Sequence, residues 1–146
     1  MRRGKGKGEM GMALSSALAA LVLLAACRAG PPITVRIVEP AEETSVAEPR
    51  VRVVLEATGI EIAPAAEQRP GIAHHHLFLD TDVTAPGDTI PAGTTGIIHL
   101  GRGQSEFTFD SLLPGEHRVI AVLADAWHVP HGSWRTDTVR FTVAGR

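Results

Sequence analysis

Alternation of apolar and polar residues at every second position is the feature that most constrains the fold of this chain. About seven segments after Cys27 show this period, and no window of roughly ten residues there has a convincing helical period. Ile33, Val35 and Ile37 share one face of the first segment. Gly, Pro and Asp residues separate the segments. We therefore predict an all-β fold, an immunoglobulin-like β-sandwich of about seven strands, with a small closed barrel as the alternative.

The predicted strands differ in how their apolar residues are distributed. They cover residues 33–39, 50–56, 73–80, 95–100, 106–112, 117–125 and 136–143. The sixth segment is apolar on both faces, which predicts a central strand covered on both sides or an exposed patch awaiting a partner. A long connection, residues 81–94, separates the third segment from the fourth and contains two Pro- and Gly-containing turns.

The N-terminal segment has the pattern of a secretion signal. A basic stretch through Lys7 precedes an apolar run that ends at Ala26, and Cys27 follows. The run is shorter than the roughly 20 apolar residues that span a bilayer, but it suits a signal peptide. Leu24-Ala-Ala-Cys27 resembles the bacterial lipobox, and this resemblance implies cleavage before Cys27 and its lipidation. The alternatives are an ordinary signal peptide, or a helix that merely ends in Cys.

These features predict the organisation and location of the chain. We expect residues 1–26 to be a lipoprotein signal peptide, residues 27–32 a tether, and residues 33–146 the immunoglobulin-like domain. The acyl chains on Cys27 would anchor the protein to a lipid bilayer, because two or more chains anchor stably. The predicted location is therefore extracytoplasmic and membrane-anchored, in the periplasm or at the cell surface.

Composition restricts the partners and the kinds of site. The part of the chain that begins at Cys27 has ten arginines, no lysine and fifteen acidic residues, a formal charge of −5. A nucleic-acid surface is therefore excluded, because phosphate binding needs a basic patch. Cys27 is the only cysteine, and the methionines all precede it. A metal site in the mature domain must accordingly use histidine and carboxylate ligands.

The seven histidines lie in one half of the chain, between His74 and His131. In an immunoglobulin-like topology the third predicted strand runs antiparallel to the sixth, so the loops next to them meet at one end of the sandwich. We expect most of the histidines and one carboxylate to converge there: His74, His75, His76, His99, His128, His131 and Asp125. His117 belongs to the other end, where we expect it to hydrogen-bond to backbone as a structural corner residue.

Metal coordination is the chemistry that fits this convergence. His74 and His76 point to the same face of a strand, and His99 and His128 can complete a set of ligands. We place Asp125, His75 and His131 as auxiliary candidates, with Asp125 able either to ligate the ion or to orient an imidazole. Imidazole and carboxylate suit Zn(II) or Cu(II), and the missing sulfur argues against Cu(I).

Two matters stay open at this point. The sequence does not fix whether His74 and His76 or instead His75 faces the interior of the sandwich. The imidazoles could also be buried hydrogen-bonding groups, solvated loop residues, or a cluster that responds to pH, because imidazole titrates near pH 6.5.

Four motifs resemble those of a bacterial family, the domain of unknown function numbered 4399. They are Gly71-Ile-Ala-His-His-His-Leu-Phe-Leu-Asp80, His99-Leu-Gly-Arg-Gly-Gln-Ser105, Leu113-Pro-Gly-Glu-His117 and Ala124-Asp-Ala-Trp-His-Val-Pro130. The resemblance covers roughly residues 59–143 and implies a secreted or lipid-anchored domain, but it supplies no activity. The family usually has a second histidine where this chain has Ile97, and threonine where it has Ser105.

Two functions from different classes follow from these observations. The first is an envelope-anchored lipoprotein that binds a divalent transition metal through its histidine cluster. The alternative is a non-catalytic adhesion or scaffold module in which the histidines are structural. An unidentified envelope protein is the partner that we expect for either function. A metal hydrolase is a weaker idea, because the sequence identifies no general base, and we predict no catalytic residue.

Overall fold

The computed structural model describes residues 30–145. The predicted signal peptide and Cys27 therefore lie outside the described residues. The strands are β1 (Thr34–Glu39), β2 (Thr44–Val46), β3 (Val51–Thr58), β4 (Glu61–Ile62), β5 (Ile72–Leu79), β6 (Ile97–Leu100), β7 (Glu106–Phe109), β8 (Gly115–Ala124) and β9 (Asp137–Val143), with one 3₁₀ turn at Ala65–Glu67. Within residues 30–145, no helix is long and apolar enough to span a membrane.

The strands form two sheets, which confirms the predicted all-β sandwich. The small sheet has the order β1-β3-β7, and the large sheet has the order β2-β9-β8-β5-β4. Strand β5 lies antiparallel to β8 on one side and to β6 on the other. The short strands β2 and β4, which the sequence pattern did not predict, pair in parallel with β9 and β5.

The main core lies between the sheets and follows from the alternation of residues. Val35 and Val53 of the small sheet, and Leu77, Val119 and Ala121 of the large sheet, are at most 2% exposed and belong to one cluster. Each fully buried valine or leucine side chain of this cluster contributes roughly 1.5–3 kcal/mol to folding.

A second, smaller apolar cluster covers the outer face of the large sheet. Phe78 of β5 and Ile120 and Val122 of β8 pack there against Ile90, which comes from the long connection 81–94. Strand β8 is thus covered on both faces, the first of the two arrangements its sequence predicted. The Ile90 N–H donates a hydrogen bond to the His128 carbonyl at 2.9 Å, so the connection is attached to the β8–β9 loop.

Alternation along β5 decides which histidines face the interior. Ala73 and Leu77 belong to the core between the sheets, so His75 lies on that inner face. Phe78 belongs to the outer cluster, so His74 and His76 lie on the outer face.

The described chain begins at the same end of the sandwich as the start of β5. The Val35 N–H donates to the Arg135 carbonyl, just before β9 begins. Residues 31–32 pass so close to Gly59 that a Cβ there would lie 2.8 Å from two carbonyl oxygens. Gly59 also has φ +78°, which glycine adopts readily. These contacts fix where the N-terminal segment meets the domain.

Candidate metal centre

Four histidines from three segments meet on the outer face of the large sheet. Pairing between β5 and β6 sets His76 opposite His99, and pairing between β5 and β8 sets His74 opposite Ala124, four residues before His128. One ring nitrogen from each of His74, His76, His99 and His128 lies within 4.8 Å of the others. We call these residues the histidine quartet; their arrangement could hold a metal ion.

The spacing of the nitrogens approaches that of ligands around a single ion. The Nε2 atoms of His99 and His128 are 3.2 Å apart. Two imidazole nitrogens at ~2.0–2.1 Å from a tetrahedral zinc ion would be roughly 3.3 Å apart. The widest pair, at up to 4.8 Å, would need to close by about 1.5 Å for this geometry.

Two of the quartet imidazoles are buried without hydrogen-bond partners. His74 is 0% exposed, and neither of its ring nitrogens has a partner; His76 is 1% exposed, and its Nδ1 has none. A neutral imidazole carries one N–H donor and one acceptor, and leaving such a buried group unpaired costs about 1–3 kcal/mol. Unpaired buried groups of this kind call for a specific explanation, such as a bound ion or water.

Burial and mutual repulsion favour the uncharged form of three of the quartet imidazoles, those of His74, His76 and His99. Burial, followed by the neighbouring imidazoles, lowers the pKa of His74 to about 4 and that of His76 to about 2. Burial and then His128 also lower the pKa of His99. The neutral imidazole is the form that binds a metal ion, so these residues need not lose a proton to coordinate at neutral pH.

Asp125 shapes the loop that carries His128 and lies outside the quartet. Its Oδ1 accepts hydrogen bonds from the backbone N–H groups of Trp127 and Val129, and its Oδ2 lies 3.0 Å from His131 Nε2. Burial raises the pKa of Asp125, but the hydrogen bonds from Val129, His131 and Trp127 outweigh it, and the pKa is lowered. His128 has φ +65°, so the turn that Asp125 holds contains a left-handed residue. Asp125 thus supports the loop and contacts the His131 imidazole, and it is not among the four residues whose ligand atoms come together.

His75 and His131 also lie outside the quartet. His75 is on the inner face of β5, where its Nδ1 lies 3.0 Å from the Gln104 carbonyl oxygen. His131 contacts Asp125, and its ring centroid lies 4.5 Å from that of Trp134. The alternation of β5 and the competing carboxylate explain why these two auxiliary candidates are not brought to the site.

Gly101 is a residue of the site that the sequence analysis missed. A Cβ at this position would lie 2.2 Å from Cε1 and 2.4 Å from Nε2 of His99. The imidazole of His99 therefore occupies the space that any other side chain at Gly101 would need. The only sequence signal is a glycine two residues after a histidine, just beyond the last residue of strand β6.

His117 lies at the opposite end of β8 and has two partners. Its Nδ1 is 2.7 Å from Asp80 Oδ2, and its Nε2 is 2.8 Å from the Leu113 carbonyl oxygen. When the carboxyl is ionised, both partners are acceptors, so both ring nitrogens donate only when the imidazole is protonated. Burial lowers the pKa of His117, but the bonds to Leu113 and Asp80 outweigh it, and the pKa is raised. The bond to Leu113 is the backbone contact that the sequence predicted for a corner residue.

Comparison with known proteins gives a family and no activity. No curated protein matches the chain. The sequence profile of the family described as Domain of unknown function (DUF4399) matches residues 53–144, which include the whole histidine quartet, Gly101 and His117. The match covers more than half of the chain, and the chain therefore belongs to this family.

Proposed function

We propose that this protein binds one divalent transition-metal ion through His74, His76, His99 and His128. The observation that carries the proposal is the imidazole of His74, which is fully buried, lacks a partner on both nitrogens, and contacts the other three imidazoles. A coordinated ion would give a buried nitrogen the partner that the protein does not supply.

The ligand set favours Zn(II) or Cu(II). Imidazole nitrogen is a good ligand for both ions, whereas Cu(I) sites draw on the thiolate and thioether groups that the described residues lack. We propose a binding or sequestering module and not a hydrolase. The carboxylate in the loop of the site, Asp125, is already engaged by backbone N–H groups and His131, so it is poorly placed to act as a base.

We further propose that Cys27 is acylated and anchors the protein outside the cytoplasm. The support is the lipobox-like sequence, together with the start of β1 at the quartet end of the sandwich. Six residues lie between Cys27 and Thr34, and the seven Cα–Cα steps reach at most roughly 25 Å. An anchor at Cys27 would therefore keep the quartet end near the bilayer. Cells fed a labelled fatty acid should incorporate it into the parent protein but not into Cys27→Ser; equal labelling of the two proteins would contradict the anchor.

The metal proposal is tested by uptake. We expect the purified chain to take up one Zn(II) or Cu(II) per molecule, measured by elemental analysis after dialysis, and the double variant His74→Ala, His76→Ala to take up none. His131→Ala is the matched control, because His131 is close in the chain to His128 but bonds to Asp125.

A purely structural role for the histidines gives a different result. The double variant would then melt at a lower temperature than the parent chain, and a chelator would change neither melting curve. Metal uptake that is unaffected by the double substitution would refute the site.

A further inference from the structure

A cleft of about 500 Å³ opens beside the histidine quartet. His76, His99 and His128 line one side of it, and residues 89–93 together with Ile97 line the rest. Small-molecule sites commonly have volumes of roughly 300–1,000 Å³. Three of the four proposed ligands therefore border a space that is large enough for a small molecule.

The electrostatics of the cleft favour an anion. Four neutral imidazoles leave the full charge of a divalent ion uncompensated, and no charged side chain lines the cleft among the described residues. An opposite charge close to an ion is attracted more strongly there than in bulk water, because the walls lower the effective dielectric constant. Zinc can also expand from four ligands to five, so an added ligand need not displace a histidine.

The walls of the cleft favour a ligand that also has an apolar part. Ile90, Pro91 and Ala92 follow one another along one wall, and Ile97 stands beside them. Ile90 and Ile97 are also part of the apolar packing on the outer face of the large sheet. A short hydrocarbon group placed here would leave water for an apolar surface.

From these features we infer that the cleft binds a small organic monocarboxylate. The carboxylate would lie at the metal ion held by the quartet, and the hydrocarbon part would lie against residues 89–93 and Ile97. This inference rests on the proposed metal binding, and the test below separates the two.

The test uses the purified full chain loaded with Co(II), whose visible absorption reports the ligands around the ion. Formate, acetate, propionate and butyrate are titrated in turn. We expect each to change the spectrum saturably, with the affinity rising by up to about fourfold for each added CH₂ group because that group is buried.

Two variants with opposite charges at the same position test whether the cleft favours an anion. Ala92 is exposed on the wall, so Ala92→Glu and Ala92→Lys should both fold. We expect the glutamate to weaken butyrate binding about fivefold and the lysine to strengthen it by a similar factor. Leu113→Glu and Leu113→Lys are the matched controls, since Leu113 is 77% exposed at the His117 end and should have no effect.

The outcomes are distinguishable. Co(II) uptake with a spectrum that carboxylates do not alter would overturn the inference and leave the metal proposal standing. Affinity that stays flat along the series, or carboxylates that strip the ion from the chain, would also overturn it. Failure to take up Co(II), Zn(II) and Cu(II) alike would remove the metal proposal together with this one.

Discussion

The antiparallel pair of strands β5 and β8 has imidazoles at both ends, because the histidines of β5 lie at one end and His117 of β8 lies at the other, and the surroundings of the two groups differ. At one end, His74 and His76 are buried among other imidazoles, and both have a lowered pKa. At the other end, His117 lies between Asp80 and the Leu113 carbonyl and has a raised pKa. The comparison shows that partner atoms, and not residue type, separate a structural histidine from a candidate ligand.

The largest expected difference between the two ends is the response of stability to metal. Zn(II) at 100 times its Kd should stabilise the parent chain by about 2.7 kcal/mol, and raise its melting temperature by roughly 10 °C. His117→Ala should keep this increase, whereas His74→Ala with His76→Ala should lose it. Differential scanning fluorimetry with and without Zn(II) measures the increase in melting temperature for each protein. Equal increases in all three proteins would contradict the assignment of the metal to the quartet.

Removing the imidazole at the structural end should lower stability without affecting metal binding. His117→Ala leaves Asp80 and the Leu113 carbonyl without this partner, at a cost of roughly 1–3 kcal/mol in the free energy of unfolding. Urea titration measures the loss, and calorimetry should give an unchanged Zn(II) affinity. A fall in affinity would mean that the two ends are coupled.

Gly101→Ala should lower the affinity for metal and leave the stability of the metal-free chain nearly unchanged. The new methyl group would displace the His99 imidazole from the quartet, and we expect the Zn(II) affinity to fall about tenfold, or ~1.4 kcal/mol. The stability of the metal-free chain should change by less than about 1 kcal/mol, because a flexible side chain can move aside. Gly132→Ala is the control, with only ordinary contacts to Pro86. The prediction fails if both variants bind Zn(II) like the parent.

The smallest expected effect is on the pH dependence of stability. Because the pKa of His117 is raised in the folded chain, its contribution is fully present below about pH 6.5 and is lost as the pH rises through the folded value. His117→Gln should therefore lose more stability at pH 6 than at pH 9, relative to the parent chain. Urea titrations at both pH values measure the two losses. A larger loss at pH 9 would contradict a raised pKa of His117 in the folded chain.

Much of the fold could be predicted because its strands are amphipathic. Alternation located every strand longer than three residues, and antiparallel pairing of β5 with β8 then brought remote histidines to one end. Strands β2 and β4 were missed because three and two residues are too short to show a period. Their parallel pairing at the margins of the large sheet leaves no signal in local sequence.

The detail of the site was harder to predict than its location. Both faces of β5 are apolar, with Leu77 on one and Phe78 on the other, so the pattern could not show which histidines face outward. Among the residues that cover the outer face is Ile90, which lies in an irregular connection. The roles of Asp125 and Gly101 depend on contacts across loops, which spacing along the chain does not encode.

One face of β5 packs in the core and the other carries His74 and His76 of the quartet. The register of β5 against β8 therefore determines both the packing of the core and the geometry of the quartet. A slip of one residue would carry His74 and His76 into the hydrophobic interior and turn Leu77 toward the cleft, since neighbouring side chains point to opposite faces. An insertion or deletion within this strand would therefore destroy folding and ligand geometry in a single step. Length changes compatible with this protein should accordingly be confined to its loops.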